Sequence, residues 1–176
     1  MRFEPTPIDG VFVVDLEPLR DERGFFARAF CVDELEARGL AAEVVQANLS
    51  ANVQAGTVRG LHYQSSLAPE AKFFRCIRGE TFNVAVDLRE GSPTYAAWFG
   101  VHLSADNRRA LYVPPLCAAG YQAQTDDAEV LYLASARYTP EAERGRRHDD
   151  PALGIAWPLA PTLVSEKDRS WPLLEG

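Results

Sequence analysis

The chain is poor in cysteine, lysine, histidine and long apolar runs, and each shortage excludes something. Its three cysteines, Cys31, Cys76 and Cys117, are odd in number and lie in neither CxxC nor zinc-finger spacing. A disulfide-stapled scaffold and a thiolate metal knuckle are thereby excluded, and reduced thiols in a cytoplasmic setting are expected. No apolar run approaches the roughly 18 residues of a membrane-spanning helix. Residues 1–10, with Pro5 and Pro7, read as polar and turn-like, without the basic and apolar regions of a secretory leader. Among 18 Lys plus Arg, only Lys72 and Lys167 are lysine, and 25 Asp plus Glu outnumber them for a net charge of −7. With no basic tail, nucleic acid is not an expected partner, and an anionic ligand must be held by a few local cations.

What the chain does have is a core. At 176 residues with 47% apolar positions, it is long enough to bury about 70% of its unfolded surface as one domain over residues 1–176. Short apolar, β-rich runs at 11–16, 44–50, 57–64, 72–78, 81–88, 96–103, 111–113, 121–124 and 129–138 alternate with turn signals such as Glu90-Gly91-Ser92-Pro93. In the clearest run Phe82, Val84, Val86 and Leu88 share one face while Asn83, Ala85 and Asp87 share the other. One helix is expected, from an N-cap at Asp33 to a stop at Gly39. Many short strands with one helix predict an all-β fold, an antiparallel sandwich or barrel of the jelly-roll kind. Residues 155–163 are apolar and proline-punctuated and are expected to pack back on the body.

Several side chains could carry chemistry. His62, in Arg59-Gly60-Leu61-His62-Tyr63-Gln64, is a candidate general base; strict alternation puts it on one face with Gly60 and Gln64. The opposing possibility is a core histidine satisfied by a neighbour. His102 reads as structural and His148 as a surface residue. No second histidine or carboxylate cluster accompanies His62, so no metal centre is expected. Tyr132 lies in an apolar strand, where core packing competes with a role as acid. Lys72 either snorkels from its apolar run or stabilises an oxyanion. Asp168, in Ser165-Glu166-Lys167-Asp168, reads on its own as part of an exposed loop.

Taken together these segments resemble a family. Asp21-Glu22-Arg23-Gly24-Phe25-Phe26, the hexamer at 59–64, Arg75-Cys76-Ile77-Arg78-Gly79-Glu80, Val84-Ala85-Val86-Asp87-Leu88-Arg89, Ser92-Pro93-Thr94 and the tetrad at 165–168 are similar to the dTDP-4-dehydrorhamnose 3,5-epimerase family. The resemblance spans nearly the whole chain. It implies a metal-free, cofactor-free, cupin-type jelly roll that forms a homodimer. The implied reaction removes the proton beside the C4 ketone of a dTDP-linked 4-keto-6-deoxyhexose and returns one on the other face. By family position His62 is the base, Asp168 its orienting carboxylate, Tyr132 the acid and Lys72 the partner of the enolate. Arg23, Gln46, Asn48, Arg59, Glu143 and Lys167 match nucleotide- or sugar-binding positions, and Tyr138 the residue that stacks on thymine.

The sequence also departs from that pattern. Arg28 stands where the family has a glutamate that accepts the thymine N3 proton, and a guanidinium has only donors. Ala118-Ala119-Gly120-Tyr121 stands where the family reads Ala-His-Gly-Phe, so Ala119 removes a substrate-side donor. Leu49 replaces a polar residue and Asn83 an aspartate. These changes imply an epimerase of altered substrate or regiochemistry, suited to deoxysugar and natural-product biosynthesis. Two other readings stay open: an isomerase or cyclase of a non-nucleotide carbonyl compound, which would bind no thymidine nucleotide, and a non-catalytic binding homologue, which would bind without proton exchange.

Overall fold

The computed structural model describes residues 1–174. Two antiparallel sheets face each other across an apolar interior. The first sheet runs β1 (Arg2–Pro5), β2 (Phe12–Asp15), β10 (Ala110–Val113), β7 (Lys72–Arg78), β12 (Glu129–Ala134) and β5 (Gln46–Ala51). The second runs β13 (Glu143–Gly145), β6 (Val58–Gln64), β11 (Cys117–Ala123), β8 (Glu80–Asp87) and β9 (Trp98–Ser104). A separate hairpin, β3 (Leu19–Asp21) and β4 (Gly24–Phe26), projects from the body. The expected cupin-type jelly roll is the fold, with two short α-helices among the described residues, α1 (Val32–Glu36) and α2 (Glu166–Ser170).

Between the sheets, Val13, Phe74, Leu111 and Val130 from one side meet Ala85, Leu103, Ala119 and Tyr121 from the other. Alternation on β8 sorts two buried faces: Ala85 enters this interior, while Phe82, Val84 and Val86 face outward beneath Leu153, Ile155 and Trp157. β8 lies between β11 and β9, so its polar residues are buried too. Asp87 is satisfied there by Arg89, Ser92 and Thr94. The C-terminal segment joins the second sheet at Val58, whose N–H donates to the Leu163 carbonyl at 2.8 Å.

Several local expectations are corrected. Residues 2–5 form an edge strand against β2 rather than a turn, a place where Pro5 costs no interior ladder bond. Residues 19–26, which lie outside the runs expected as strands, form the β3–β4 hairpin. The N-cap of α1 is Cys31, not Asp33, because the Leu35 N–H donates to the Cys31 carbonyl; Asp33 and Glu34 occupy the first turn instead, where acidic residues complement the helix dipole. β11 starts at Cys117 and β12 ends at Ala134. Beyond it the chain is held by Gln64, which donates to the carbonyls of Ala68 and Arg137 and accepts from the Thr139 N–H. His148 is buried, whereas His102 lies on the surface, paired with Glu80 at 2.5 Å.

Candidate active site

β6 supplies the first residues, and its irregularity matters. Gly60 presses on Gly120, where an added Cβ would sit 2.5 Å from the Gly120 Cα, and its φ is +126°; only glycine fits such a contact in that conformation. The pairing with β11 shifts register here, with Arg59 opposite Tyr121 but His62 opposite Ala119. Arg59 and His62, three residues apart, therefore line one cavity, which strict alternation does not foresee. His62 and Gln64 share a second, adjoining cavity.

Asp168 arrives from α2. The Ser165 side chain caps this helix by accepting from the Asp168 N–H at 3.0 Å, which turns the Asp168 carboxylate inward and buries it. The exposed-loop reading of this tetrad is thus overturned. Asp168 Oδ1 lies 2.6 Å from His62 Nε2, and Oδ2 accepts from the Gly60 N–H at 3.2 Å. Burial pushes the carboxyl pKa up, but the bonds from His62, Gly60 and Ser165 outweigh it and hold the group below its ordinary value. An ionised Asp168 binds the proton of Nε2 and leaves Nδ1 as the basic nitrogen.

Lys72, at the start of β7, sets its ammonium 3.4 Å from the His62 carbonyl and 3.3 Å from Glu70. Tyr132 on β12 stacks near Phe74 at 5.3 Å between ring centroids. Its hydroxyl has no hydrogen-bond partner among the described residues, and burial pushes its pKa up, keeping the proton on the phenol.

The larger cavity, about 730 Å³, is bordered by Arg59, Lys167 and Asp168; the smaller, about 330 Å³, by Gln46, Tyr138 and Glu143. His62, Lys72, Tyr132 and Asn48 border both. The groups able to move or stabilise a proton therefore stand where the two spaces meet. Tyr138 is fastened by its N–H to Gln46 at 2.6 Å and by its hydroxyl to Glu143 at 2.8 Å, and Glu143 pairs with Lys167 at 2.6 Å. Burial raises the Glu143 pKa, yet Lys167 and Tyr138 bring it below the ordinary range. Among the described residues no three His, Cys, Asp or Glu side chains gather as metal ligands.

Three expected site residues lie elsewhere. Arg23 is at the hairpin tip, paired with Asp21 at 2.5 Å, and Arg28 pairs with Glu34 at 3.3 Å; neither borders these cavities. Ala119 is in the apolar interior, 4% exposed, and borders neither cavity. Sequence reasoning in turn missed Glu70, Ser50, Asn52 and Tyr121. Part of the signal was available: along β5 and the residue after it, Gln46, Asn48, Ser50 and Asn52 recur with period two, and all border the two cavities.

Fold and cavity together define a cupin-type protein whose interior holds a histidine–carboxylate pair, a lysine and a phenol. A sequence profile of dTDP-4-dehydrorhamnose 3,5-epimerase matches residues 5–176. The dTDP-4-dehydrorhamnose 3,5-epimerase of Methanothermobacter thermautotrophicus is 44% identical over 99% of this chain and 95% of its own length. A dTDP-4-dehydrorhamnose 3-epimerase of Streptomyces niveus is 41% identical over 99% and 84%. The crystal structure of the 3,5-epimerase from Elizabethkingia anophelis superposes with a TM-score of 0.95 at 33% identity, covering 98% of this chain and 96% of that one. The chain belongs to the dTDP-4-dehydrorhamnose 3,5-epimerase family.

Proposed function

We propose that the protein epimerises a dTDP-linked 4-keto-6-deoxyhexose at C3, C5 or both, through an enolate and without a cofactor. The observation that carries this reading is the position of His62, Lys72 and Tyr132 at the junction of two cavities. A two-part substrate spanning both spaces puts its reacting carbon between them. His62 Nδ1 takes the proton next to the ketone, and ionised Asp168 stabilises the imidazolium that forms. The Lys72 ammonium stabilises the negative charge developing on the ketone oxygen. Tyr132 donates a proton to the opposite face of the same carbon, so one proton leaves and one arrives. Arg59 and Lys167 supply cations for the diphosphate, and Tyr138, with 55% of its surface exposed, offers a ring for the base to stack on. Gln46, Asn48 and Glu143 supply the remaining polar contacts.

The working form is a homodimer. Leu19 and Phe26 on the hairpin are 73% and 74% exposed, with Arg23 at its tip. Such an apolar projection favours burial against a second copy, and it brings Arg23 to the partner's cavity rather than its own. No described helix is long and apolar enough to cross a membrane. The three free thiols accord with a cytoplasmic setting.

The test is incubation with dTDP-4-keto-6-deoxyglucose in deuterated water, followed by mass and proton-NMR analysis. Deuterium at C3, at C5 or at both is expected and names the regiochemistry. A folded protein that incorporates none overturns the reading.

A further inference from the structure

A line of polar side chains along one wall of the larger cavity takes no part in the proton transfers. Arg59 Nε donates to Asn52 Oδ1 at 2.9 Å, and Asn52 Nδ2 donates to the Ala128 carbonyl at 2.9 Å. The Tyr121 hydroxyl lies 3.4 Å from Asn52 Nδ2 and 2.7 Å from Ser50 Oγ. All four side chains border the cavity, yet Asn52 is 2% and Tyr121 4% exposed. Their polar atoms must therefore be satisfied by one another.

That requirement sets a direction. A guanidinium only donates, so the Asn52 oxygen faces Arg59; a carbonyl only accepts, so the nitrogen faces Ala128. The second Asn52 N–H then has the Tyr121 oxygen as its acceptor. With that oxygen receiving, the tyrosine proton goes to its nearest acceptor, Ser50 Oγ. The serine proton is left without a partner. In the reverse order Ser50 donates to Tyr121 and Tyr121 to Asn52 Oδ1 at 3.5 Å. That order leaves the tyrosine proton only a long bond to an oxygen that Arg59 already holds.

We infer that Ser50 is a substrate-binding donor, its hydroxyl turned outward by Tyr121 and Asn52 toward an acceptor oxygen of the sugar nucleotide. The inference rests on the reading of the cavity as a sugar-nucleotide epimerase site. Tyr121 and Asn52 are positioning residues, acting through Ser50.

The experiment measures steady-state kinetics on dTDP-4-keto-6-deoxyglucose and calorimetric binding of dTDP for the wild type, Ser50→Ala, Tyr121→Phe and the double variant. Each single variant is expected to raise KM roughly five- to tenfold, the size of one polar hydrogen bond. The double variant should be no worse than Ser50→Ala, since Tyr121 acts through that hydroxyl. Ser50→Thr, which keeps the hydroxyl on a strand, should recover most of the loss, and this holds the test open if Tyr121→Phe does not fold. Weaker dTDP binding in Ser50→Ala assigns the contact to the nucleotide; unchanged dTDP binding with raised KM assigns it to the hexose. An active wild type with wild-type KM in Ser50→Ala, or fully additive losses, overturns this inference alone. A wild type that neither exchanges protons nor binds dTDP overturns the epimerase reading and this inference with it.

Discussion

His62 Nε2 and Asp168 Oδ1 meet at 2.6 Å although 106 residues separate them. One comes from β6, paired on both sides by β13 and β11, and the other from the first turn of a capped helix. Their union gives the imidazole a defined tautomer, and the first prediction follows from it. Asp168→Asn keeps the shape but can hold the ring in the wrong tautomer. The expected loss in kcat is about 10²- to 10⁴-fold, with dTDP binding retained. His62→Ala should abolish deuterium exchange altogether; turnover near wild type would remove His62 from the mechanism.

Tyr132 faces the junction with a proton that burial keeps in place. Tyr132→Phe should therefore slow formation of inverted product more than wash-out of the first substrate proton. Mass spectrometry of recovered substrate against product separates the two rates. Equal loss of both would show that the phenol does not deliver the second proton.

Asp87 gives the protein an acid limit. Burial alone would raise its pKa, but bonds from Arg89, Ser92 and Thr94 depress it far below the ordinary carboxylate value. A depressed pKa means that the unfolded chain binds the proton more readily, so stability is fully present above the unfolded value near about 3.9. It is lost as pH falls from there toward the folded value. Urea unfolding between pH 7 and pH 2 should show this loss. Asp87→Asn should flatten the acid limb and lower stability at pH 7 by about 1–3 kcal/mol. An unchanged profile would mean that other carboxylates, such as Asp168, set the acid limit.

Phe26 is the most exposed aromatic side chain of the projecting hairpin. The proposed homodimer predicts that Phe26→Asp is a monomer in analytical ultracentrifugation where the wild type is a dimer, with a raised KM from loss of the proposed Arg23 contact to the partner's cavity. A fully active monomer would show that each chain's site is complete by itself.

Much of the fold was legible because strand alternation is a local property. The run at 72–78 coincides with β7, and that at 57–64 starts one residue before β6. What escaped were elements whose existence depends on a partner: the edge strand at Arg2–Pro5, the short β13, and α2, which is one capped turn. Arg59 was recognisable as a cation, but its place beside His62 comes from the close contact of Gly60 with Gly120 and the accompanying register shift. Ala119 shows the converse. Its match to a family histidine implied a lost substrate-side donor, and the structure pairs it with His62 inside the apolar layer.

The sequence by itself determined the all-β class, the family, and the residue types available for moving a proton, because periodicity and motif are written along the chain. Tertiary structure decided which of those residues meet. Asp168 becomes a buried partner of His62 only when Ser165 caps its helix against β6. Ser50, Asn52 and Tyr121 acquire a common hydrogen-bond direction only when β5 and β11, from opposite sheets, close on the same cavity. Such meetings depend on distances across the barrel, which no local pattern encodes.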